Sequence, residues 1–266
     1  MDPLIRFSHV KKRFGPKVIY DELSLDIARG ETVTVLGASG SGKSVLLKLL
    51  IGLIRADAGE IWLAGSDASD DPVDVTKLSD AALVGVRRRV AYLFQGAALF
   101  DSLTVGENVA YGLREQYWNT MRPAEIDRRV EASLTAVGLP GIQGMRPSDL
   151  SGGMKKRVGL ARTLALEPEV ILYDEPTTGL DPINTARINH LIRAIKERLG
   201  LTSVVVTHDM STAFSVSDRI VMVGRGRVLA AGPREHFRTT PDPYVRDFID
   251  GRAPEIEDVE QLLSSS

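Results

Sequence analysis

Eight residues beginning at Gly37 combine glycine, lysine and serine in an order that suits phosphate binding. Residues 37–44 read GASGSGKS and match the pattern G-x-x-x-x-G-K-[ST]. Glycines let backbone N–H groups turn towards phosphate oxygens, and the N-terminus of a following helix adds partial positive charge. The pattern predicts a nucleotide site in which Lys43 reaches the β- and γ-phosphates and the Ser44 hydroxyl binds Mg²⁺. The expected nucleotide contacts in this loop are Gly37, Ser39, Gly40, Ser41, Gly42, Lys43 and Ser44.

Two carboxylates, Asp174 and Glu175, end an apolar run over residues 170–173. Because side chains alternate along a strand, neighbouring acids point in different directions and can have different tasks. Asp174 is placed to hold Mg²⁺ through water, and Glu175 to polarise the attacking water as a general base. An isolated acidic pair is usually only solvated, but a preceding phosphate loop favours the hydrolytic interpretation.

Apolar periodicity predicts the elements that position these side chains. Strands are expected over residues 4–10, 18–27, 33–36, 61–64, 170–173 and 203–207. Helices are expected over residues 123–138 and 184–198, a hairpin over 219–231 that turns at 224–226, and a loop over 67–76. Strand–helix alternation predicts an α/β fold with a mostly parallel sheet, and residues 97–165 are interpreted as a helical insert.

Composition limits the possible partners of the chain. The 266 residues carry a net charge of −2, so there is no basic excess that would indicate nucleic-acid binding. Cysteine is absent, which excludes disulfides and thiolate chemistry. The N-terminus has no apolar segment typical of a signal peptide. The most apolar stretch, residues 45–54, is too short to cross a bilayer and contains Lys48, so we expect any membrane role to require a partner.

A helix start just before the acidic strand carries the family resemblance. Residues 150–154 read LSGGM, and Ser151 is a favourable N-cap. This segment resembles the LSGGQ signature of ATP-binding cassette (ABC) proteins. Further residues resemble the other ABC elements in family order: the A-loop aromatic Phe14, the Q-loop Gln95, the D-loop Asp181 and the switch histidine His208. Phe14 has an alternative interpretation as a core residue.

The ABC resemblance implies a fold and a dimeric mechanism. The fold would be that of a RecA-like P-loop NTPase with an antiparallel β subdomain and the ABC-specific helical insert. Each ATP would lie between Lys43 of one copy and the Ser151, Gly152 and Gly153 segment of the other, in a two-fold homodimer. Glu175, His208 and Lys43 are the expected catalytic residues. The resemblance also implies that Gln95 contacts Mg²⁺ with Ser44 and Asp174, and that Asp181 links the two sites.

The chain is expected to divide into a nucleotide-binding domain, residues 1–240, and a C-terminal extension, residues 241–266. Tyr244 and Phe248 are four residues apart, so they share a face of a short predicted helix. They either reach across to the neighbouring ATPase or cap the core of their own domain, and the sequence leaves both interpretations open. The end of the chain, from Arg252, is predicted to be mobile.

Two stretches resemble the ATPases of Mla-type phospholipid transport systems: residues 95–110 around the Q-loop and residues 241–251 near the end. The LSGGM form of the signature also occurs in that subgroup. The resemblance implies an MlaE-like integral membrane permease, an MCE-domain protein resembling MlaD and a STAS-domain protein resembling MlaB. It also implies a peripheral position on the cytoplasmic face of a bacterial inner membrane, with phospholipid moved between inner and outer membranes.

Other interpretations of the chain remain open at this stage. The ABC motifs are equally typical of an importer ATPase for a small polar solute. A non-transport ABC protein of DNA repair or the ribosome is a further class, and an adaptor that binds ATP without turnover is disfavoured by Glu175 and His208. Two basic runs, residues 87–89 and 155–157, are interpreted as solvated helix faces.

Overall fold

A computed structural model of the chain describes residues 3–67 and 70–252. Within these residues the strands are β1 (Ile5–Phe14), β2 (Lys17–Ile27), β3 (Thr32–Leu36), β4 (Ala58–Leu63), β5 (Val73–Asp74), β6 (Val90–Leu93), β7 (Val170–Asp174), β8 (Thr202–Thr207), β9 (Arg219–Gly224) and β10 (Arg227–Pro233). The helices are α1 (Lys43–Leu50), α2 (Leu83–Arg89), α3 (Val105–Gln116), α4 (Pro123–Ala136), α5 (Gly152–Leu164), α6 (Pro182–Leu199), α7 (Met210–Val216), α8 (Arg234–Thr239) and α9 (Pro243–Asp250).

The larger sheet has six strands in the order β10-β9-β3-β8-β7-β6. Strands β9, β3, β8, β7 and β6 run parallel, and β10 pairs antiparallel with β9. On β7, Val170 and Leu172 join one buried cluster, whereas Ile171 and Tyr173 join another. The strand is covered on both faces, which explains its uninterrupted apolar run. The predicted mostly parallel α/β sheet is confirmed.

A second, antiparallel sheet has the strand order β2-β1-β4-β5. Phe7 of β1, Leu47 of α1 and Val206 of β8 belong to the same buried cluster. Helix α1, which follows the phosphate loop, therefore shares one core with both sheets. Strand β1 continues beyond the predicted residue 10 and ends at Phe14. This extension carries Phe14 to the hairpin at the edge of the antiparallel sheet.

The predicted helical insert is confirmed. Helices α3, α4 and α5 lie within residues 97–165 and pack against one another through a common cluster that contains Val109, Leu134 and Leu160. Ile171 of β7 belongs to the same cluster, so the insert is anchored on the larger sheet. The helix predicted over residues 123–138 begins at Pro123, which suits the first helical position. It ends before Gly138, and this glycine adopts a left-handed backbone conformation.

Two sequence expectations are wrong in part. Residues 67–76 are not loop throughout, because Val73–Asp74 forms β5 and a short 3-10 turn follows it.

The basic run over residues 87–89 is not simply a solvated face. Arg87 donates to the carbonyl of Ile51 at 3.0 Å, and Arg89 makes a two-pronged ion pair with Glu169 at 2.9 Å. Long basic side chains can lie along the protein surface and still reach such partners, here the carbonyl of buried Ile51 and the partly exposed carboxylate of Glu169.

The described part of the C-terminal extension packs against its own domain. Val245 of α9 is buried in a cluster with Met222 and Phe237, and Phe248 packs beside it. Tyr244 stays exposed, with the guanidinium of Arg225 5.3 Å from its ring centroid. These contacts favour the capping interpretation, while a crossing to a neighbouring subunit stays a prediction. Residues 253–266, where the mobile tail was predicted, lie outside the described residues.

No helix of the described chain is both long enough and apolar enough to cross a membrane.

Asn108 of α3 organises the loop that precedes this helix. Its side-chain amide donates to the carbonyls of Phe100 at 3.0 Å and Thr104 at 2.9 Å, and its carbonyl accepts from Phe100 N–H at 2.8 Å. Asn108 is fully buried. Replacing it with alanine is expected to lower the free energy of unfolding by about 1–3 kcal/mol, because buried backbone groups lose their partners. Urea denaturation of Asn108→Ala measures this change.

The control for this measurement is Asp101→Ala, on the same loop with an exposed side chain. It should shift the urea midpoint little, since exposed substitutions away from special contacts are usually worth within about 0.5 kcal/mol. Equal stability losses for the two variants would contradict the assigned role of Asn108.

Candidate active site

The predicted functional segments follow the carboxyl ends of four adjacent strands. The phosphate loop follows β3, Glu175 follows β7, His208 follows β8, and Gln95 comes two residues after β6. The strand order β3-β8-β7-β6 makes these ends neighbours at one edge of the sheet. Crevices at the carboxyl ends of parallel strands are the usual ligand sites of open α/β sheets. The topology therefore gathers residues that lie up to 171 positions apart (Gly37 to His208).

The phosphate loop depends on glycine at Gly42. Its φ of +101° lies in a region that other residues rarely adopt, and a Cβ there would approach Ile19 to 2.6 Å. The buried hydroxyl of Tyr20 donates to the Gly42 carbonyl at 2.8 Å, so β2 supports the loop from behind. Gly42 is the N-cap of α1 and has no side chain to cap the helix, which leaves the first helical N–H groups for a ligand.

Lys43 lies at the centre of the site and is almost fully buried. Its ammonium donates to the carbonyls of Gly37 at 2.7 Å and Ala38 at 3.1 Å, and lies 3.7 Å from a carboxylate oxygen of Glu175. Burial lowers the pKa of Lys43, and the charge of Glu175 opposes that shift. A buried cation with a carboxylate beside it is suited to bind a polyanion that can compete for the same ammonium.

Asp174 is held between the phosphate loop and β6. The Ser44 hydroxyl donates to one carboxylate oxygen at 2.7 Å, and the Tyr92 hydroxyl donates to the other at 2.6 Å. Burial raises the pKa of Tyr92, and the bond to Asp174 adds to that shift, so this phenol stays protonated as a donor. Two hydroxyl donors therefore fix the orientation of the Asp174 carboxylate.

Glu175 has a strained backbone and a fully engaged carboxylate. Its φ is +49°, which is uncommon for a non-glycine residue. One carboxylate oxygen accepts from the hydroxyls of Thr178 and Thr207, both at 3.2 Å. The other lies 3.0 Å from Nδ1 of His208. The surroundings hold Glu175 in one orientation, with the imidazole at its side.

A cleft of about 430 Å³ brings most of the predicted nucleotide contacts together. Phe14 lies at this cleft with 46% of its surface exposed, so the alternative of a core residue is wrong. Gly37, Ser41 and Asp174 are not among the residues that line the cleft, and the Ser41 hydroxyl is buried without a hydrogen-bond partner among the described residues. The residues that line the cleft are Phe14, Lys17, Ile19, Ser39, Gly40, Gly42, Lys43, Ser44, Val45, Gln95, Glu175 and His208.

The family model described as "ABC transporter" matches residues 20–178, more than half of the chain. This protein is an ATPase of the ABC transporter family. It is 40% identical over 240 residues to the intermembrane phospholipid transport system ATP-binding protein MlaF of Escherichia coli K12, covering 90% of this chain and 86% of MlaF. It is also 40% identical over 252 residues to the "Probable ribonucleotide transport ATP-binding protein mkl" of Mycobacterium leprae, covering 95% of this chain and 70% of that protein.

Solved ABC cassettes share the fold of this ABC ATPase. The dimeric cassette MJ0796, in a post-hydrolysis state bound to ADP and Pi, superposes with a TM-score of 0.76 and 31% identity, covering 86% of this chain and 98% of that one. CbiO1 from Clostridium perfringens, part of the transporter complex cbiONQ, superposes with a TM-score of 0.79 and 25% identity, covering 99% of this chain and all of that one. The predicted fold class is thereby confirmed.

The signature and D-loop residues of this ABC ATPase lie away from the cleft lining. Ser151 caps α5 by accepting from Met154 N–H at 3.3 Å, as predicted. Ser151 and Gly152 are exposed, whereas Gly153 is buried against Asn184. Asp181 caps α6 by accepting from Asn184 N–H at 2.9 Å. Within one subunit these residues therefore do not line the cleft that contains Lys43.

Sequence reasoning missed the donors that orient the two carboxylates. Tyr92 holds Asp174, and Thr178 and Thr207 hold Glu175. Their position could have indicated them, because Tyr92 and Thr207 lie at or near the carboxyl ends of strands beside β7. Single hydroxyl residues at strand ends are common, however, and only the strand order brings Tyr92 and Thr207 next to the acids. Thr178 lies three residues after Glu175 in the same loop.

The interpretation of residues 155–157 as a solvated face is wrong for Lys156. This side chain is only 7% exposed and donates to the backbone carbonyls of Gln95 and Glu175. Burial lowers the pKa of Lys156, while the charges of Glu175 and Asp174 act in the opposite direction. The basic run contains a buried cation because α5 passes directly under the Q-loop.

Proposed function

We propose that the residues of this cleft bind and hydrolyse ATP. Phe14 stacks on the adenine, Lys43 binds the β- and γ-phosphates, and His208 contacts the γ-phosphate. Glu175 accepts a proton from water while the water oxygen attacks the γ-phosphorus and the bond to the bridging oxygen of ADP breaks. The observation that supports this assignment is the Glu175 carboxylate itself, oriented by Thr178, Thr207 and His208 within 3.2 Å.

The donor set of the cleft fits Mg²⁺. The Ser44 hydroxyl lies 2.7 Å from the Asp174 carboxylate, and Gln95 lines the same cleft. Oxygen ligands from hydroxyl, amide and carboxylate groups suit this hard cation. We propose that Ser44 and Gln95 hold the ion directly and that Asp174 holds it through water. When bound, the ion neutralises charge between the β- and γ-phosphates.

The dimer proposal concerns the residues outside the cleft. Ser151, Gly152 and Gly153 would contact the γ-phosphate on the partner copy, and Asp181 would link the two sites. The exposure of Ser151 and Gly152 supports this arrangement. So does the similarity to an ABC cassette that is dimeric in its solved structure. A two-fold interface would use each signature segment once and complete both sites.

Phe14→Ala is expected to weaken ATP binding and leave the chemical step intact. Stacking of a base on an aromatic ring is worth about 1–3 kcal/mol, so the KM for ATP should rise roughly 10-fold or more, with kcat within about twofold. Steady-state ATPase kinetics measure both values. Val18→Ala, an exposed apolar residue on the neighbouring strand, is the control and should leave KM unchanged. A larger KM change for Val18→Ala than for Phe14→Ala would contradict the stacking role.

For the transported cargo we propose phospholipid, moved between inner and outer membranes by an Mla-type system. The observation that carries this proposal is the 40% identity to MlaF over 86% of its length. The ATPase would work as a homodimer on the cytoplasmic face of the inner membrane. It would bind an MlaE-like permease, with an MlaD-like MCE-domain protein and an MlaB-like STAS-domain protein in the same complex. Direct nucleic-acid binding is not part of this proposal.

A polar-solute transporter is the second candidate. The mycobacterial relative named as a probable ribonucleotide transport protein is equally similar, at 40% identity. Both candidate functions use the same ATP cleft of this chain, so the partner proteins and the cargo must distinguish them.

The test is to purify the tagged chain from its native membranes in mild detergent and identify the proteins and lipids that accompany it. A multispan permease with an MCE-domain protein and bound phospholipid is the expected result. A permease with a small-solute binding protein, and ATPase stimulation by ribonucleotides in place of phospholipid, would support the second candidate. Recovery of ribosomes or DNA-repair proteins would overturn the transport assignment.

A further inference from the structure

Helix α5 holds the Q-loop with two buried or partly buried cations. Lys156 donates to the carbonyl of Gln95. Six residues further along, Arg162 donates to the carbonyls of Ala97 at 2.6 Å and Ala98 at 2.7 Å. Residues 97 and 98 have φ angles of +62° and +46°, an unusual pair for alanine. The loop therefore has a strained backbone whose carbonyls are held by α5.

The close approach of this loop to α5 requires Gly159. A Cβ at Gly159 would lie 3.0 Å from the Cβ of Ala97 and 3.0 Å from a methyl of Leu93. Lys156, Gly159 and Arg162 are spaced three residues apart, so they lie along one face of the helix. The two cations lie on this face on either side of Gly159, which has no side chain. The chain from Leu93 to Ala98 lies against this face.

Of these two cations, it is Lys156 that also contacts Glu175, the proposed catalytic base. Its ammonium also donates to the backbone carbonyl of Glu175 at 3.3 Å. The Glu175 N–H donates to Val206 O at 2.9 Å, so the residue is held on its N-terminal side by β8 and on its C-terminal side by Lys156. A φ of +49° is strained and persists only where neighbouring contacts maintain it.

We propose that Lys156 is a positioning residue that couples helix α5 and the Q-loop to the catalytic carboxylate of Glu175. It acts through the two backbone carbonyls and does not touch the reacting atoms. A displacement of α5 relative to the larger sheet changes the Glu175 backbone through this ammonium. The proposal rests on the proposed role of Glu175 as general base.

The test compares Lys156→Met with Lys156→Arg and with Lys155→Met in the full chain, purified together with its membrane partners. Lys156→Met removes both donations, whereas Lys156→Arg keeps the cation and its donors. Lys155→Met changes the preceding lysine, for which the described residues include no side-chain hydrogen bond or ion pair. Lys156→Gln gives a second comparison if Lys156→Met folds poorly, because its amide still donates to one carbonyl. Thermal melting verifies folding in every case.

A small displacement of a catalytic group can cost on the order of 10²-fold in rate, so kcat of Lys156→Met should fall roughly 10- to 100-fold. The KM for ATP should stay within about threefold of wild type, because the phosphate loop is not altered. Lys156→Arg should recover kcat to within about fivefold, and Lys156→Gln should be intermediate. Lys155→Met should behave as wild type.

The decisive measurement is the same substitution in the Glu175→Gln background. If Lys156 acts through Glu175, Lys156→Met should then lower the residual rate by less than about threefold. A full additional loss in that background would show a general structural effect and overturn the proposal. A normal kcat for Lys156→Met would also overturn the proposal, provided that Glu175→Gln itself is inactive. A normal rate for Glu175→Gln alone would instead overturn the base assignment, and the inference with it.

Discussion

Glu175→Gln is expected to bind ATP and to lose hydrolysis by about 10²–10⁴-fold in kcat, the usual contribution of a general base. Glutamine has nearly the same shape and keeps an oxygen that can accept from Thr178 and Thr207, so the site should remain assembled. It cannot take a proton from water. Under the dimer proposal, the variant should therefore accumulate as an ATP-bound dimer. Steady-state turnover and size-exclusion chromatography with ATP measure the two effects.

The matched control is Glu197→Gln, the same chemical change on the exposed face of α6. It should retain wild-type turnover. If Glu175→Gln hydrolyses ATP within about threefold of wild type, the general-base role fails, and another group must accept the proton.

Lys43→Met is expected to abolish useful ATP affinity. Hydrogen bonds to charged groups contribute about 1.5–3 kcal/mol each, so loss of the contacts to two phosphates should raise the Kd for ATP on the order of 10²-fold or more. Methionine fills a similar volume, which limits the effect on packing around this buried position. Isothermal titration calorimetry with ATP measures the change directly.

Lys17→Met gives the comparison for this variant. Lys17 lines the same cleft, but its side chain is exposed. Exposed charges contribute little because water and salt screen them, so its Kd should stay within about threefold. If Lys17→Met weakens ATP affinity as much as Lys43→Met does, the effect comes from nonspecific attraction by positive charge and not from a phosphate contact by Lys43.

Much of the site was predictable because its motifs are local. The phosphate loop needs glycine and lysine at a fixed spacing, and the acids Asp174 and Glu175 follow a recognisable buried strand. The sheet type followed from strand–helix alternation. These features depend on residues near each other in sequence, where periodicity and turn chemistry carry the information.

The parts that could not be predicted depend on long-range contacts. Lys156 reaches carbonyls 61 and 19 positions away, and nothing in a short basic run indicates that one of its members is buried. Arg89 likewise finds Glu169, 80 positions away. Long basic side chains can lie in water or pack along apolar surface, and only the tertiary fold decides between these states.

Strand β7 also determines how the protein unfolds. Its residues alternate between the cluster shared with the antiparallel sheet and the cluster shared with the helical insert, so neither cluster can melt without exposing one face of the strand. Amide protons in β7 and in the adjacent β8 are therefore expected to exchange with solvent only through global unfolding. Asp174 and Glu175 lie at the carboxyl end of β7, so their spacing should stay constant while peripheral segments fluctuate.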